Sequence, residues 1–243
     1  EKWYQPWNAI VVVAGDVEAE AVLQDAKDTY GKVVASQPEI ERNWVKDPKV
    51  VVSKTIEYTD KRVTNPSWSR SFITPSYRNA EDGEAEALDL LAAILGGSVK
   101  SRIHQEITLN RQIANSAGAW YSGSSRGPGS FGVYGSPRGD VEISEIENAL
   151  QQEIDKLLTD GVTQEELDYA RRAFLKSIIY SQDSQVALAR IFGSILTNGG
   201  TIEDFVGWPD AIAKVTVEDI NKVARKYLDK KRSVTSRLLP EQS

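Results

Sequence analysis

Apolar positions recur along this chain in two rhythms. Residues 9–14 form an unbroken apolar run, Ala-Ile-Val-Val-Val-Ala, which predicts a buried central strand. The spacing then changes. Ala19, Val22, Leu23, Ala26 and Tyr30 fall at i, i+3, i+4, i+7 and i+11, the period of a helix. Asp16 is its expected N-cap, Glu18 and Glu20 suit the positive end of its dipole, and Gly31 is its expected stop. Residues 50–58 and 67–74 read as strands, bounded by Pro66 and Pro75. Residues 81–95 predict a helix so broadly apolar, through Ala87, Leu88, Leu90, Leu91, Ala92, Ile94 and Leu95, that it must be mostly buried. Gly96 and Gly97 end it. Residues 101–109 predict a shorter helix with Ile103 and Ile107 inward, and residues 114–121 and 131–136 the two strands of a hairpin.

Helices dominate the remainder. Residues 142–159 carry Ile143, Ile146, Ala149, Leu150, Ile154, Leu157 and Leu158 at helical spacing. The pattern Thr163-x-x-Glu166 is a capping box that opens a helix over 164–181. A helix over 183–198 follows, then a short one over 202–208 that Pro209 should stop. Thr216-x-x-Asp219 caps 217–228, which leads into a last strand at 233–239. This order predicts an α+β fold, a mostly antiparallel sheet with helices packed on one face, and not the βαβ alternation of a doubly wound domain. The expected organisation is a terminal strand and helix of a preceding domain at 1–31, a proline-containing linker at 32–49 and one domain over 50–243. The opening segment resembles the end of a domain: Lys226-Tyr227-Leu228 precedes the final strand much as Lys2-Trp3-Tyr4 precedes the first apolar run. There is no methionine. The expectation is therefore a fragment or processed chain, with the chemistry in the missing part.

Composition narrows the function classes. At 243 residues the chain can bury a large core without staples. The net charge of −6 argues against nucleic acid or an anionic membrane as partner. No apolar stretch is long enough for a transmembrane span. With no cysteine and one histidine, His104, disulfides, thiolate metal sites and two-histidine catalysis are excluded within the chain. His104 therefore reads as a structural or surface residue.

Other candidates also have plain structural readings. The glycines between 123 and 129 lack the phosphate-loop pattern and sit between strands, so this is a hairpin turn with Arg126 at its tip. The acidic run Glu81, Asp82, Glu84 and Glu86 lacks calcium-loop spacing and suits a helix N-terminus, as do Glu165, Glu166 and Asp168. The serines at 67, 69, 71, 122, 124 and 125 have no nucleophile elbow and no spare histidine as base. No residue is assigned a catalytic or metal-binding role.

The chain resembles the C-terminal half of a zinc peptidase of the pitrilysin/insulinase family, in the smaller bacterial branch related to the mitochondrial processing peptidase. The resemblance rests on Trp3-Tyr4-Gln5-Pro6-Trp7-Asn8-Ala9 followed by an apolar run and Gly15-Asp16-Val17. It rests also on Leu95-Gly96-Gly97 with Ser101-Arg102-Ile103, on Gly161-Val162-Thr163 with Glu165-Glu166-Leu167, and on residues 224–228. It implies that residues 3–30 are the last strand and helix of a zinc-bearing domain. It further implies a parent protein of two related α+β halves enclosing a chamber for peptide substrates. Zinc would sit in the missing N-terminal domain on an H-x-x-E-H motif that this chain lacks, and this chain would hold no cofactor.

The family's second domain usually adds an Arg and a Tyr that stabilise the substrate carbonyl. Placed on this sequence, those positions fall at Thr108 and Asn115, with Arg111 and Tyr121 nearby but out of register. The resemblance thus implies either a heterodimer, in which a paralogous subunit supplies the Arg/Tyr pair, or a non-catalytic parent that recognises substrate or acts as a scaffold. A homodimer is the other expected assembly. Related bacterial proteins are often exported, so the periplasm is the expected compartment.

Overall fold

The computed structural model describes residues 2–42 and 51–241. Residues 43–50, which hold the later part of the expected linker and the first residue of the expected strand at 50–58, lie outside the described residues. The chain forms two compact units. One comprises Glu1–Asp47 with Leu175–Gly207, the other Pro48–Phe174 with Trp208–Ser243.

The second unit carries the sheet. Strands β1 (Lys54–Asp60), β2 (Ser67–Thr74), β3 (Ala114–Ser122), β4 (Gly129–Pro137) and β5 (Ser233–Pro240) lie in the order β1-β5-β2-β4-β3. All neighbours are antiparallel except β1 and β5, so the sheet is mixed but mostly antiparallel, as expected. Alternation assigns the faces. Trp68, Arg70, Phe72 and Thr74 of β2 are buried, and Phe72 opposes Phe131 while Arg70 opposes Val133.

Helices α2 (Glu84–Leu95), α3 (Ile143–Asp160) and α7 (Val217–Tyr227) pack on that face. Leu88, Leu90, Leu91 and Leu95 of α2, Ile146 and Leu150 of α3 and Ile220 of α7 have no exposed surface. The opposite face is left open, with Ile56, Tyr58, Ile73, Trp120, Tyr134 and Leu238 exposed upon it.

Local signals explain the helix ends. Helix α2 starts at Glu84 and not at residue 81, because Gly83 adopts φ 75°, a left-handed conformation that no helix continues through. Both capping boxes form. The Glu166 N–H donates to Thr163 Oγ1 at 3.2 Å and the Thr163 N–H to Glu166 Oε2 at 2.8 Å, opening α4 (Gln164–Gln182). Thr216 and Asp219 do the same for α7. One stop signal failed. Pro209 does not end the expected short helix but lies inside α6 (Ile202–Lys214). Proline removes one backbone bond, yet Ile212 beyond it is fully buried, and that burial favours continuing the helix. The expected helix at 101–109 becomes a π-helical segment, His104–Asn110, ended by Gln112 at φ 52°.

The first unit contains α1 (Ala19–Asp28), α5 (Gln185–Thr197) and the adjoining stretches of α4 and α6. Helix α1 is preceded by Glu18 as N-cap, not Asp16, and Thr29 follows its last turn. None of its residues is buried. Residues 9–14 do not form the buried strand that their run predicts. Ile10, Val11 and Val13 are 44–53 % exposed. An apolar run becomes a strand only where a sheet edge accepts its backbone groups. Among the described residues no strand pairs with it. Ser184 caps α5 by accepting from the Ala187 N–H at 3.2 Å, and Phe192 meets Phe205 edge to face at 5.4 Å.

Candidate functional site

Two of the motifs that carried the resemblance meet in one place. Arg102, after the Gly96-Gly97 turn, donates from Nε to Glu166 Oε1 at 2.6 Å and from Nη2 to Glu166 Oε2 at 2.8 Å. Nη2 also donates to the Gly161 carbonyl at 2.7 Å. Asn221 of α7 accepts from the Val162 N–H at 2.9 Å. Burial alone would raise the Glu166 carboxyl, but Arg102 and the Thr163 N–H outweigh it and hold its pKa below the ordinary value. The bidentate geometry makes Arg102 a clamp between the α2–β3 connection and the start of α4. Gly96 has a separate reason. A Cβ there would collide with the backbone of Gly118 and Ala119, so only glycine lets the end of α2 press against β3. These motif residues hold the fold, and every charge in the cluster is matched.

The positions set aside for substrate chemistry, Thr108 and Asn115, lie on two successive elements, the π-helical segment and β3. Thr108 lies in the π-helical segment, and its buried Oγ1 has no partner among the described residues. Asn115 is on the exposed side of β3 and donates from Nδ2 to the Pro137 carbonyl at 2.9 Å. Arg111 turns to α3, 3.5 Å from Glu145 and 3.3 Å from Gln152 Oε1. Tyr121 points inward and donates to the Pro75 carbonyl at 2.8 Å. Burial, then the nearby Asp89, raises its pKa. Arg111 and Tyr121 are therefore each engaged elsewhere. Residues 123–128 join β3 to β4 as the expected hairpin turn, and Ser125 bonds within it to Gly127 and Pro128.

The donor set of the described residues does not fit zinc. Among the described residues no three His, Cys, Asp or Glu side chains converge on a point where a metal could sit. His104 is the chain's one histidine. Nor is any helix among the described residues long and apolar enough to cross a membrane.

Two polar networks, one built on the buried Arg70 and the other partly buried, carried no sequence motif. Arg70, 1 % exposed, donates to Thr235 Oγ1 at 3.0 Å, to Glu147 Oε1 at 3.1 Å and to Gln151. Arg237 reaches the other Glu147 oxygen at 2.6 Å. The pair locks α3 onto β2 and β5. The second network is a chain of donors. Trp208 Nε1–H donates to Tyr77 Oη at 2.6 Å, and Tyr77 donates to the Asp89 carboxyl. Only one sequence signal could have found it: Asp89 interrupts the apolar helix between Leu88 and Leu90.

Residues 1–174 match the family model described as the peptidase M16 inactive domain. The uncharacterized zinc protease YmxG of Bacillus subtilis is 22 % identical over 228 residues, covering 92 % of this chain and 52 % of that protein. The zinc protease PqqE of Helicobacter pylori is 23 % identical over 240 residues, covering 98 % and 53 %. The crystal structure of a protease from Helicobacter pylori superposes with a TM-score of 0.89 at 22 % identity, over 98 % of this chain and 56 % of that one. The chain thus spans about half the length of the curated relatives it matches. With the family model covering well over half of the sequence, the chain belongs to the peptidase M16 inactive-domain family.

Proposed function

We propose that this chain is the C-terminal, non-zinc region of a bacterial zinc metalloendopeptidase, and that it supplies chamber wall and subunit contacts around a peptide substrate. The observation that carries this reading is the open sheet face. All the helices that pack on the sheet lie on one side, and the other exposes Ile56, Tyr58, Ile73, Trp120, Tyr134 and Leu238. An apolar face of this extent in a soluble protein marks a surface with a partner. The relatives named as zinc proteases are about twice as long, so the partner we assign is the parent's other half. In this reading residues 1–31 belong with that half, residues 32–49 link to it, and the zinc, the general base and the H-x-x-E-H motif reside there.

The test compares the 243-residue chain alone with the same chain co-expressed with the parent's other half. Zinc content and cleavage of a quenched fluorescent peptide are measured. The chain alone should carry no stoichiometric zinc and cleave nothing. The reassembled pair should cleave, and a chelator should abolish the activity. Chelator-sensitive cleavage by the chain alone would overturn the proposal.

Thr108 and Asn115 support a second reading, in which the parent is non-catalytic and serves substrate recognition or scaffolding, or borrows Arg and Tyr from a paralogous subunit. Adding a paralogue to an inactive reassembled pair separates these: recovered activity indicates borrowing, continued inactivity a scaffold. Replacing Thr108 by Arg is a poor test, because Thr108 Oγ1 is buried and a guanidinium there would disturb the π-helical segment.

A further inference from the structure

Helices α4 and α6 each run from one compact unit into the other. Their crossing points, Phe174/Leu175 and Gly207/Trp208, bracket residues 175–207. On the sheet-unit side the two ends of this segment are rooted together. Phe174 and Trp208 meet edge to face at 5.6 Å. Arg171 of α4 donates to the Val215 carbonyl at 2.5 Å and to the Ile212 carbonyl at 3.4 Å, just beyond and within the last turn of α6. Pro209 follows Trp208 directly and deprives α6 of one backbone hydrogen bond where it enters the unit. Side chains must therefore hold this turn.

Trp208 is one side chain that does so. An indole can only donate, so Tyr77 must accept from it and pass its own proton onward, and Asp89 is the acceptor. The ionisable groups acting on Asp89 are Tyr77, from the connection after β2, and Glu86 on the preceding turn of α2. Tyr121 of β3 responds to Asp89 in turn.

We propose that the Trp208–Tyr77–Asp89 chain is a proton-linked clasp on the roots of α4 and α6, closed while Asp89 is protonated and loosened when it ionises. A protonated carboxyl keeps an oxygen that accepts from Tyr77 while placing no net charge in the protein. Burial pushes the Asp89 carboxyl up to about 7, against the pull of the Tyr77 hydrogen bond, and Glu86 adds to the push. An opened root hydrates the carboxyl, returning its pKa to about 4. Between these values the closed state holds a proton that the open state has released. Rising pH therefore favours opening until about pH 7, beyond which the effect levels off.

Hydrogen–deuterium exchange of the 243-residue chain, corrected for intrinsic exchange, tests this. Protection in peptides covering residues 205–214 should fall about tenfold between pH 6 and pH 8. Peptides from α3 should not change. Asp89→Asn retains an acceptor oxygen and cannot ionise, so the pH dependence should vanish with the root protected at both values. Trp208→Phe keeps an aromatic ring beside Phe174 but lacks the donor, and should lower protection at both. An unchanged pH slope in Asp89→Asn, or no slope in the wild-type chain, would overturn the clasp. If Asp89→Asn does not fold, a carbon-13 titration of the wild-type Asp89 carboxyl decides: a midpoint near 4 refutes the clasp, and one near 7 supports it.

Discussion

The two compact units dispose of their apolar side chains in opposite ways. In the unit of residues 48–174 and 208–243, apolar side chains from α2, α3, α7 and one face of the sheet fill a common core, with Leu88, Phe131, Val133 and Leu150 fully enclosed. In the unit of residues 1–47 and 175–207, no apolar side chain among the described residues is buried. Yet that unit holds the most apolar run in the chain, residues 9–14, and the apolar helix α5. The difference lies in backbone accounting more than in composition. Strand β2 can bury Trp68 and Phe72 because β4 and β5 take up its N–H and C=O groups on both edges. Residues 9–14 have the apolar side chains without the edges.

The largest effect expected from this contrast is in the core. Phe131→Ala should lower the stability of the sheet unit by about 4 kcal/mol, since a fully buried aromatic leaves a cavity that the strands cannot close. Leu23→Ala in α1, where the side chain is 55 % exposed, should cost no more than about 0.5 kcal/mol. Urea unfolding followed by circular dichroism measures both. Equal losses would mean that α1 is packed as tightly as the sheet.

A smaller loss is expected from the polar lock between α3 and the sheet. Glu147→Ala leaves Arg70 buried with Gln151 and Thr235 as its remaining partners, and should destabilise by about 3 kcal/mol. Burial already pulls the Arg70 pKa down, with Glu147 the main opposing influence, which is why removing Glu147 matters more than removing a surface carboxylate. Replacing Arg70 and Glu147 together by Met and Leu should restore most of the loss. A double variant no better than Glu147→Ala would show that packing, not an uncompensated charge, is at fault.

How much of this was legible beforehand follows the same division. Strand β2 was readable to the residue, because Pro66 and Pro75 bracket it and its even positions face the core. The starts of α4 and α7 were readable because a capping box is a local reaction between four residues. Three features were not. The π-helical segment depends on how Ile103 and Ile107, both fully buried, seat in the core. Pro209 is a local stop signal overridden by the burial of Ile212 beyond it. The strand expected at residues 9–14 needs an edge that periodicity cannot supply. As for the candidate site, the sequence identified Arg102 and Glu166 as motif residues but not as partners 64 positions apart. Tyr77, Asp89 and Trp208 form a chain across 131 positions without a motif to announce it.

The smallest change in the chain itself is expected from altering residues 9–14, and this sharpens the comparison most. Val11 and Val13 are 52 % and 53 % exposed. Replacing both by Thr keeps the β-branch and the strand propensity while making the side chains polar. Alone, the chain should unfold at the same urea concentration, within about 0.5 kcal/mol. Assembly with the parent's other half should weaken by roughly 2 kcal/mol, or about thirtyfold, if that half supplies the missing sheet edge and buries both side chains. Because the backbone preference is preserved, such a split can come only from side-chain burial upon assembly. A drop in the stability of the chain alone would mean that the run is already packed, and the contrast between the units would fail. Unchanged assembly would mean that the run is not the strand its sequence predicts in either setting.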